Sequence, residues 1–339
     1  MIPLLEVHDV PEMLYTIDDA RRIREIFPHP ALLYLEGRHK EPLFVTVLLH
    51  GNEDAGLFAI QRILRKYKQR VLPRSLIVFF GNVYAAEQGM RRLEGQPDYN
   101  RVWPGGELTD TPEGELMGRV MERVLARGPF ASIDIHNNTG KNPHYGCINR
   151  LEHDFFYLAS LFGRLTVYFE TPTGVQSLAL ANYCPAITVE CGKPGVAQGA
   201  EHAADFVDSV LHLAAFPEAS THSETELEVY HTVAKVTIPP AYTFSYTDAD
   251  ADIVLDAALE EKNFTMLPRG TSFARIKPGS GARFDVYDEA GNACFDTYFY
   301  IENNAIKLNQ AVMPSMITRD ETVIRQDCLC YLMERMKID

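Results

Sequence analysis

Several protein classes are excluded by what this sequence lacks. No segment of its 339 residues approaches the run of about 18 apolar residues that reads as a membrane-spanning helix. The start, Met1 to Tyr15, has neither a basic leader nor a long apolar stretch, so it does not read as a secretory signal. The six cysteines are scattered, with no Cys-x-x-Cys pair. That argues against a disulfide framework and leaves them as small core residues, with the cytoplasm as the expected compartment. Cys328 and Cys330 would share a face in a strand. Basic residues are scarce too: 32 Lys and Arg against 46 Asp and Glu leave a net charge of −14. Such a chain repels phosphate backbones and anionic lipid, so neither nucleic acid nor a membrane surface is an expected partner. No internal repeat is visible.

What is present is ordinary globular composition, with 46% apolar and 23% charged residues. At about 150 residues per domain the length suggests two domains. In the first two-thirds, short apolar runs alternate with amphipathic stretches. Leu43–Leu49, Leu76–Phe80, Ser132–Ile135 and Ala186–Val189 read as buried strands. Helical spacing follows at Leu57, Ile60, Ile63 and Leu64, and again over Glu113–Arg127, Phe155–Phe162 and Ala200–Ala215. This alternation predicts an α/β fold, a mostly parallel mixed sheet with helices on both faces. The polar stretch Pro217–Glu224 reads as a linker and places a boundary at residue 222. Residues 1–222 then form a catalytic α/β domain and 223–339 a smaller β-rich domain. In the latter, short segments at Glu228–Ile238, Ser272–Ile276, Arg283–Tyr287 and Ala293–Ile301 are separated by turn signals, with a short helix expected at Ala251–Glu261.

Parallel sheets bind ligands beyond the carboxyl ends of their strands. His50, Glu53, His136 and Glu190 all fall at or just after predicted strand ends. A catalytic zinc site takes three N/O ligands and keeps one position open for water. His50-x-x-Glu53 supplies two ligands on a tight turn, and His136 is the natural third from a neighbouring strand. Asp134, two residues earlier, shares its face and is placed to orient a ligand histidine. Glu190 closes an apolar strand and suits a general base. The loop from Gly89 to Arg101 is locally basic, and its arginines suit a carboxylate or a developing oxyanion. Each piece alone is commonplace. Their arrival at one predicted edge gives them weight.

His50-Gly51-Asn52-Glu53, Gly81-Asn82, Arg91, Asp98-Tyr99-Asn100-Arg101, Asp134-Ile135-His136-Asn137 and Glu190-Cys191-Gly192 resemble, in order and spacing, the succinylglutamate desuccinylase/aspartoacylase family. That family is a branch of the zinc carboxypeptidase superfamily, and the β-rich C-terminal part resembles its second domain. The resemblance implies a zinc ion held by His50, Glu53 and His136, with Glu190 as general base and acid. It implies that Arg91 polarises the scissile carbonyl, that Asn100 and Arg101 grip a substrate carboxylate, and that Asp134 stands behind a ligand. Counting forward from Gly89 favours Arg91, while counting back from Asn100 favours Arg92, so both remain candidates for contact with the substrate. The aspartoacylase branch also carries an arginine shortly before its general base. The corresponding stretch, Gly174–Asn182, has no Arg or Lys, which argues against N-acetylaspartate and succinylglutamate as substrates. Gln176 and Asn182 are at most neutral contacts there.

The expected activity is zinc-dependent hydrolysis of an amide in a small carboxylate-bearing substrate of the N-acyl amino acid type. The alternatives are a metallocarboxypeptidase acting on peptides and an inactive binding module that keeps the fold. The oligomeric state is open, a homo-oligomer included.

Overall fold

The computed structural model describes residues 1–218 and 227–337. Apolar runs and periodic stretches alternate along the first part of the chain: β1 (Leu5–Val7), β2 (Ala31–Leu35), β3 (Gly37–Val47), α1 (Ala55–Tyr67), β4 (Leu72–Phe80), α2 (Val83–Gln88) and α3 (Pro112–Leu125). They continue as β5 (Ala131–His136), β6 (Tyr145–Ile148), α4 (His153–Phe162), β7 (Leu165–Tyr168), α5 (Gln176–Leu180), β8 (Ala186–Glu190) and α6 (Ala197–His212). The strands order as β1-β2-β4-β3-β5-β8-β6-β7. The central β4, β3, β5 and β8 run parallel, while β2 and β6 join them antiparallel. The result is the mixed, mostly parallel sheet expected from the sequence.

Register decides where the site forms. Val47 pairs with Phe80, Thr46 with Asp134, and His136 with Glu190. The parallel strands therefore end along one edge, and paired residues carry their side chains to the same face. β6, running the other way, brings Tyr145 opposite Glu190.

The helices are held by ordinary local chemistry. α1 buries Leu57, Ile60, Ile63 and Leu64 on one face, and α6 buries Ala203, Phe206, Val207 and Val210. The Thr111 hydroxyl accepts from the Gly114 amide ahead of Pro112, a cap and a helix-starting proline together. Asn82 caps α2 through the Ala85 amide, and Gly89, at φ +63°, ends it. α2 leaves no mark in the sequence pattern, since its six residues are too few for periodicity to register.

A second compact unit comprises Val229–Lys337 and the Asn138–Pro143 segment. Its strands β9 (Glu228–Thr237), β10 (Phe244–Ser245), β11 (Ile253–Leu255), β12 (Ser272–Ile276) and β13 (Asp285–Asp288) precede the single turn α7 (Phe295–Tyr298). β14 (Phe299–Glu302), β15 (Ala305–Leu308), β16 (Met313–Ser315), α8 (Glu321–Gln326) and β17 (Cys330–Arg335) follow. β9 pairs with β13 and β17, and β10-β11-β12-β15-β14 form a separate sheet. The core is aromatic, with Phe273 and Phe284 each meeting Phe299 edge-on.

Two local expectations change. Ala251–Glu261 is not a helix: Ile253 and Leu255 point inward around Val254 in β11, and a 3-10 turn follows at Leu259–Lys262. Ala293–Ile301 splits into α7 and β14. The expected linker lies outside the described residues from 219 onward. None of the six cysteines is in a disulfide, and Cys330 opens β17 with Cys328 buried just before it. Among the described residues no helix is long and apolar enough to cross a membrane.

Gly51 connects the turn after β3 to α2. A Cβ there would lie 2.2 Å from the Ala86 backbone nitrogen, which cannot move without shifting α2. Gly51→Ala is expected to cost about 1–3 kcal/mol. That is on the order of 2–10 °C in melting midpoint, measurable by scanning calorimetry.

Candidate metal centre

After β3 the chain turns sharply. Leu48 takes φ +57°, a left-handed conformation that costs a non-glycine residue about 1–3 kcal/mol. Its carbonyl accepts from the Asn82 amide at 2.7 Å, and the Gly51 amide donates to the Arg91 carbonyl at 3.1 Å. These bonds fix the turn and set His50 and Glu53 inward, both buried. His136, the last residue of β5, meets them there.

The contacts converge on one point. His50 Nδ1 lies 2.8 Å from Glu53 Oε1, and His136 Nδ1 lies 2.7 Å from Glu53 Oε2. The two Nδ1 atoms are 3.1 Å apart. The other ring nitrogens face carboxylates: His50 Nε2 donates to Asp98 at 2.9 Å, and His136 Nε2 donates to Asp134 at 2.7 Å. A carboxylate behind each Nε2 fixes the tautomer that leaves Nδ1 for a ligand. One donor atom from each of His50, Glu53 and His136 lies within 4.8 Å of the others, close to the spacing of about 3.3 Å that a tetrahedral ion about 2.0–2.1 Å from its donors requires. His50, Glu53 and His136 together fit a metal ion.

The electrostatics agree. Burial opposes every charge in the cluster, and the neighbours outweigh it. His50 and His136 hold Glu53 below the ordinary carboxylate range. Asp134 and Glu53 raise His136 well above an ordinary imidazole. At His50, burial and Arg91 push down while Asp98 and Glu53 push up, and the net shift is upward. Asp98 is held well below its usual value against burial by His50 and Arg91. A field that draws protons onto two buried imidazoles is one that draws a cation to the point they face.

The remaining candidates separate around this point. Arg91 reaches it, 3.0 Å from Asp98 Oδ2 and 3.4 Å from Glu53 Oε1. Arg92 instead donates to the Gln96 carbonyl at 2.6 Å. Asn100 is buried, its Nδ2 3.2 Å from Asp134 and 3.1 Å from His136 Nε2. Arg101 donates to the Asn100 carbonyl at 2.7 Å. Glu190 ends β8 in register with His136 and is itself buried.

The sequence from residue 41 to 216 matches the model of the succinylglutamate desuccinylase/aspartoacylase catalytic domain, more than half of the chain. The chain belongs to this family. Its fold is similar to that of succinylglutamate desuccinylase from Chromobacterium violaceum, with TM-score 0.58 and 16% identity over 89% of this chain and 86% of that one. The enzyme of the same name from Vibrio parahaemolyticus gives 0.59 and 15%, over 88% and 82%. Murine aminoacylase 3 gives 0.57 and 15%, over 89% and 97%. At these identities the likeness is one of fold. Among curated proteins, none matches this sequence.

Two residues gain roles that motifs and spacing do not give them. In the sequence Asp98 is only part of a motif block, yet it binds His50, Arg91 and the Asn100 amide nitrogen, the last at 2.7 Å. Gln176, expected as no more than a neutral substrate contact, is fully buried. Its backbone N–H donates to Asn100 Oδ1 at 2.9 Å and its side chain to Ser132. An acid two residues before Asn100 is a usable signal for the first. Nothing local marks the second.

Asp98→Asn keeps the shape but weakens the acceptor behind His50. Affinity for a divalent metal ion, read by competition with a chelator, should fall about 10- to 100-fold.

Proposed function

We propose that this family member is a zinc-dependent amidohydrolase that cleaves an N-acyl amino acid carrying a single carboxylate. The observation that carries the reading is the convergence of His50 Nδ1, His136 Nδ1 and a Glu53 carboxylate oxygen on one buried point, with a carboxylate behind each histidine. Two imidazoles and one carboxylate are a donor set for catalytic zinc. When bound, zinc supplies Lewis acidity, lowering the pKa of water to about 7 and polarising the amide carbonyl.

The chain's own groups divide the remaining work. Glu190, in register with His136, takes the proton from the attacking water and returns it to the leaving nitrogen. One water is consumed, and the products are a carboxylate and an amine. Arg91, held by Asp98, presents its guanidinium to the oxygen that gains negative charge. Arg101 takes the substrate carboxylate. Asn100 adds one hydrogen bond. His136 Nε2 donates to Asp134, so it cannot also accept from Asn100 Nδ2, and one amide proton is left for a substrate oxygen.

The preference for a single carboxylate rests on Gly174–Asn182. This stretch holds no cation, and its Gln176 is spent on Ser132 and Asn100. A second carboxylate on the amino acid would be desolvated there without a partner.

Protein purified without added metal is expected to carry about one zinc per chain and to lose activity to a chelator, with recovery on zinc addition. No metal and no rescue would overturn the reading. Glu190→Gln should retain zinc and lower kcat by at least about 100-fold. In a substrate panel, N-acyl derivatives of neutral amino acids should exceed N-acetylaspartate and short peptides in kcat/KM.

A further inference from the structure

Ser132, Asp134 and His136 alternate along β5 and so share one face of the sheet. The Ser132 hydroxyl accepts from the side-chain amide of Gln176, the first residue of α5. Gln176 in turn donates its backbone N–H to Asn100 Oδ1 at 2.9 Å, and Asn100 Nδ2 lies 3.2 Å from Asp134. The β5 backbone between Ser132 and Asp134 closes these bonds into a ring of four residues. All four are buried, Ser132, Asp134 and Gln176 completely.

The ring fixes a short helix that has little else to define it. α5 has five residues, too few to be stable alone, and no side chain caps its start. Its first two residues are hooked to two strands instead. Gln176 reaches Ser132 of β5, and Ser177 Oγ accepts from the Thr188 hydroxyl of β8 at 3.1 Å. The segment before α5 is joined to the loop that carries Asn100 and Arg101. The Trp103 amide donates to the Gly174 carbonyl at 3.0 Å, and a Cβ on Gly174 would lie 2.3 Å from the Arg101 carbonyl oxygen. The loop is therefore tied to the position of α5.

A purely structural role does not need a glutamine here. Its Oε1 is buried without a hydrogen-bond partner, which is a standing cost. Replacing both partners of a buried bond by apolar groups of the same shape is nearly neutral for stability. What the polar pair adds is direction, because apolar burial is non-directional. Held by Gln176 at Oδ1 and by Asp134 at Nδ2, the Asn100 amide keeps one plane. Held by Asp134 alone, it swings about that one contact.

We propose that Ser132 and Gln176 are positioning residues, whose hydrogen bond sets α5 so that its first N–H fixes the plane of the Asn100 amide and aims the remaining amide proton at the substrate. Both act through Asn100. The effect on turnover rests on the proposed function, whereas the effect on the Asn100 amide does not.

The test uses two readouts on the full-length protein. One is the nuclear magnetic resonance signal of the Asn100 side-chain amide in isotopically labelled protein, identified by its loss in Asn100→Ala. The other is steady-state kinetics on N-acetyl derivatives of neutral amino acids. The variants are Ser132→Ala alone and Ser132→Ala combined with Gln176→Met. The single variant leaves the Gln176 amide buried and unpaired, so its melting midpoint should fall, and the double variant should recover it. In both, the Asn100 signal should shift or broaden. KM should rise about tenfold with kcat little changed, the scale of one hydrogen bond to a charged group. In an Asn100→Ala background, Ser132→Ala should add nothing to KM. The proposal falls if the double variant recovers KM and the Asn100 signal along with its stability, which is what a merely structural pair would do. It falls if a folded Ser132→Ala keeps the wild-type signal and KM, or raises KM as much without Asn100 as with it. If wild type hydrolyses none of these substrates, or Asn100→Ala leaves KM unchanged, it is the proposed role of Asn100 in turnover that fails. The Asn100 signal then decides the positioning by itself, and a signal unchanged in the double variant overturns it.

Discussion

The site depends on two hydrogen bonds from histidine Nε2 atoms to carboxylates, His50 to Asp98 and His136 to Asp134. Turn either ring over and the Nδ1 atoms no longer face each other and Glu53. Burying so many ionisable groups is costly unless each is paired, and removing one partner leaves a charge stranded. Here the pairing is close to complete, and what remains unbalanced is an attraction for positive charge at one point. The same arrangement that makes the cluster tolerable in the interior makes it a group that could hold a metal ion.

The scaffold holds this geometry through register and a few strained or crowded backbone positions. β3, β5 and β8 end together, so His50, His136 and Glu190 arrive at one edge from three separate strands. Leu48 accepts a left-handed conformation and Gly51 a contact that admits no side chain. Behind the ligands, a chain of bonds runs from Ser132 through Gln176 to Asn100 and on to Asp134. An amide held at both ends has little conformational freedom left.

α5 stands between the two ends of this unit. Its first residue, Gln176, supports the candidate metal site through Asn100, and its Leu178 and Ala179 line a separate cavity of about 520 Å³. These five residues carry no charge.

Much of this is legible locally. The apolar runs, their spacing and the polar residues closing them determine a mostly parallel α/β sheet with His50, Glu53, His136 and Glu190 at strand ends, because periodicity and turn chemistry act between near neighbours. Short elements such as α2 and α5 escape, being too brief for a period to show. The choice between Arg91 and Arg92 also escapes. Counting residues leaves it open, whereas the Gly51–Arg91 backbone bond and the Asp98 carboxylate turn Arg91 to the cluster and leave Arg92 on the Gln96 carbonyl. Asp98 and Gln176 acquire their roles in the same way, from partners 48 and 76 residues away. The sequence by itself determined which chemical groups would reach the edge of the sheet. Only the tertiary structure decided which way each was turned, because orientation is set by hydrogen bonds between segments that are distant in the chain.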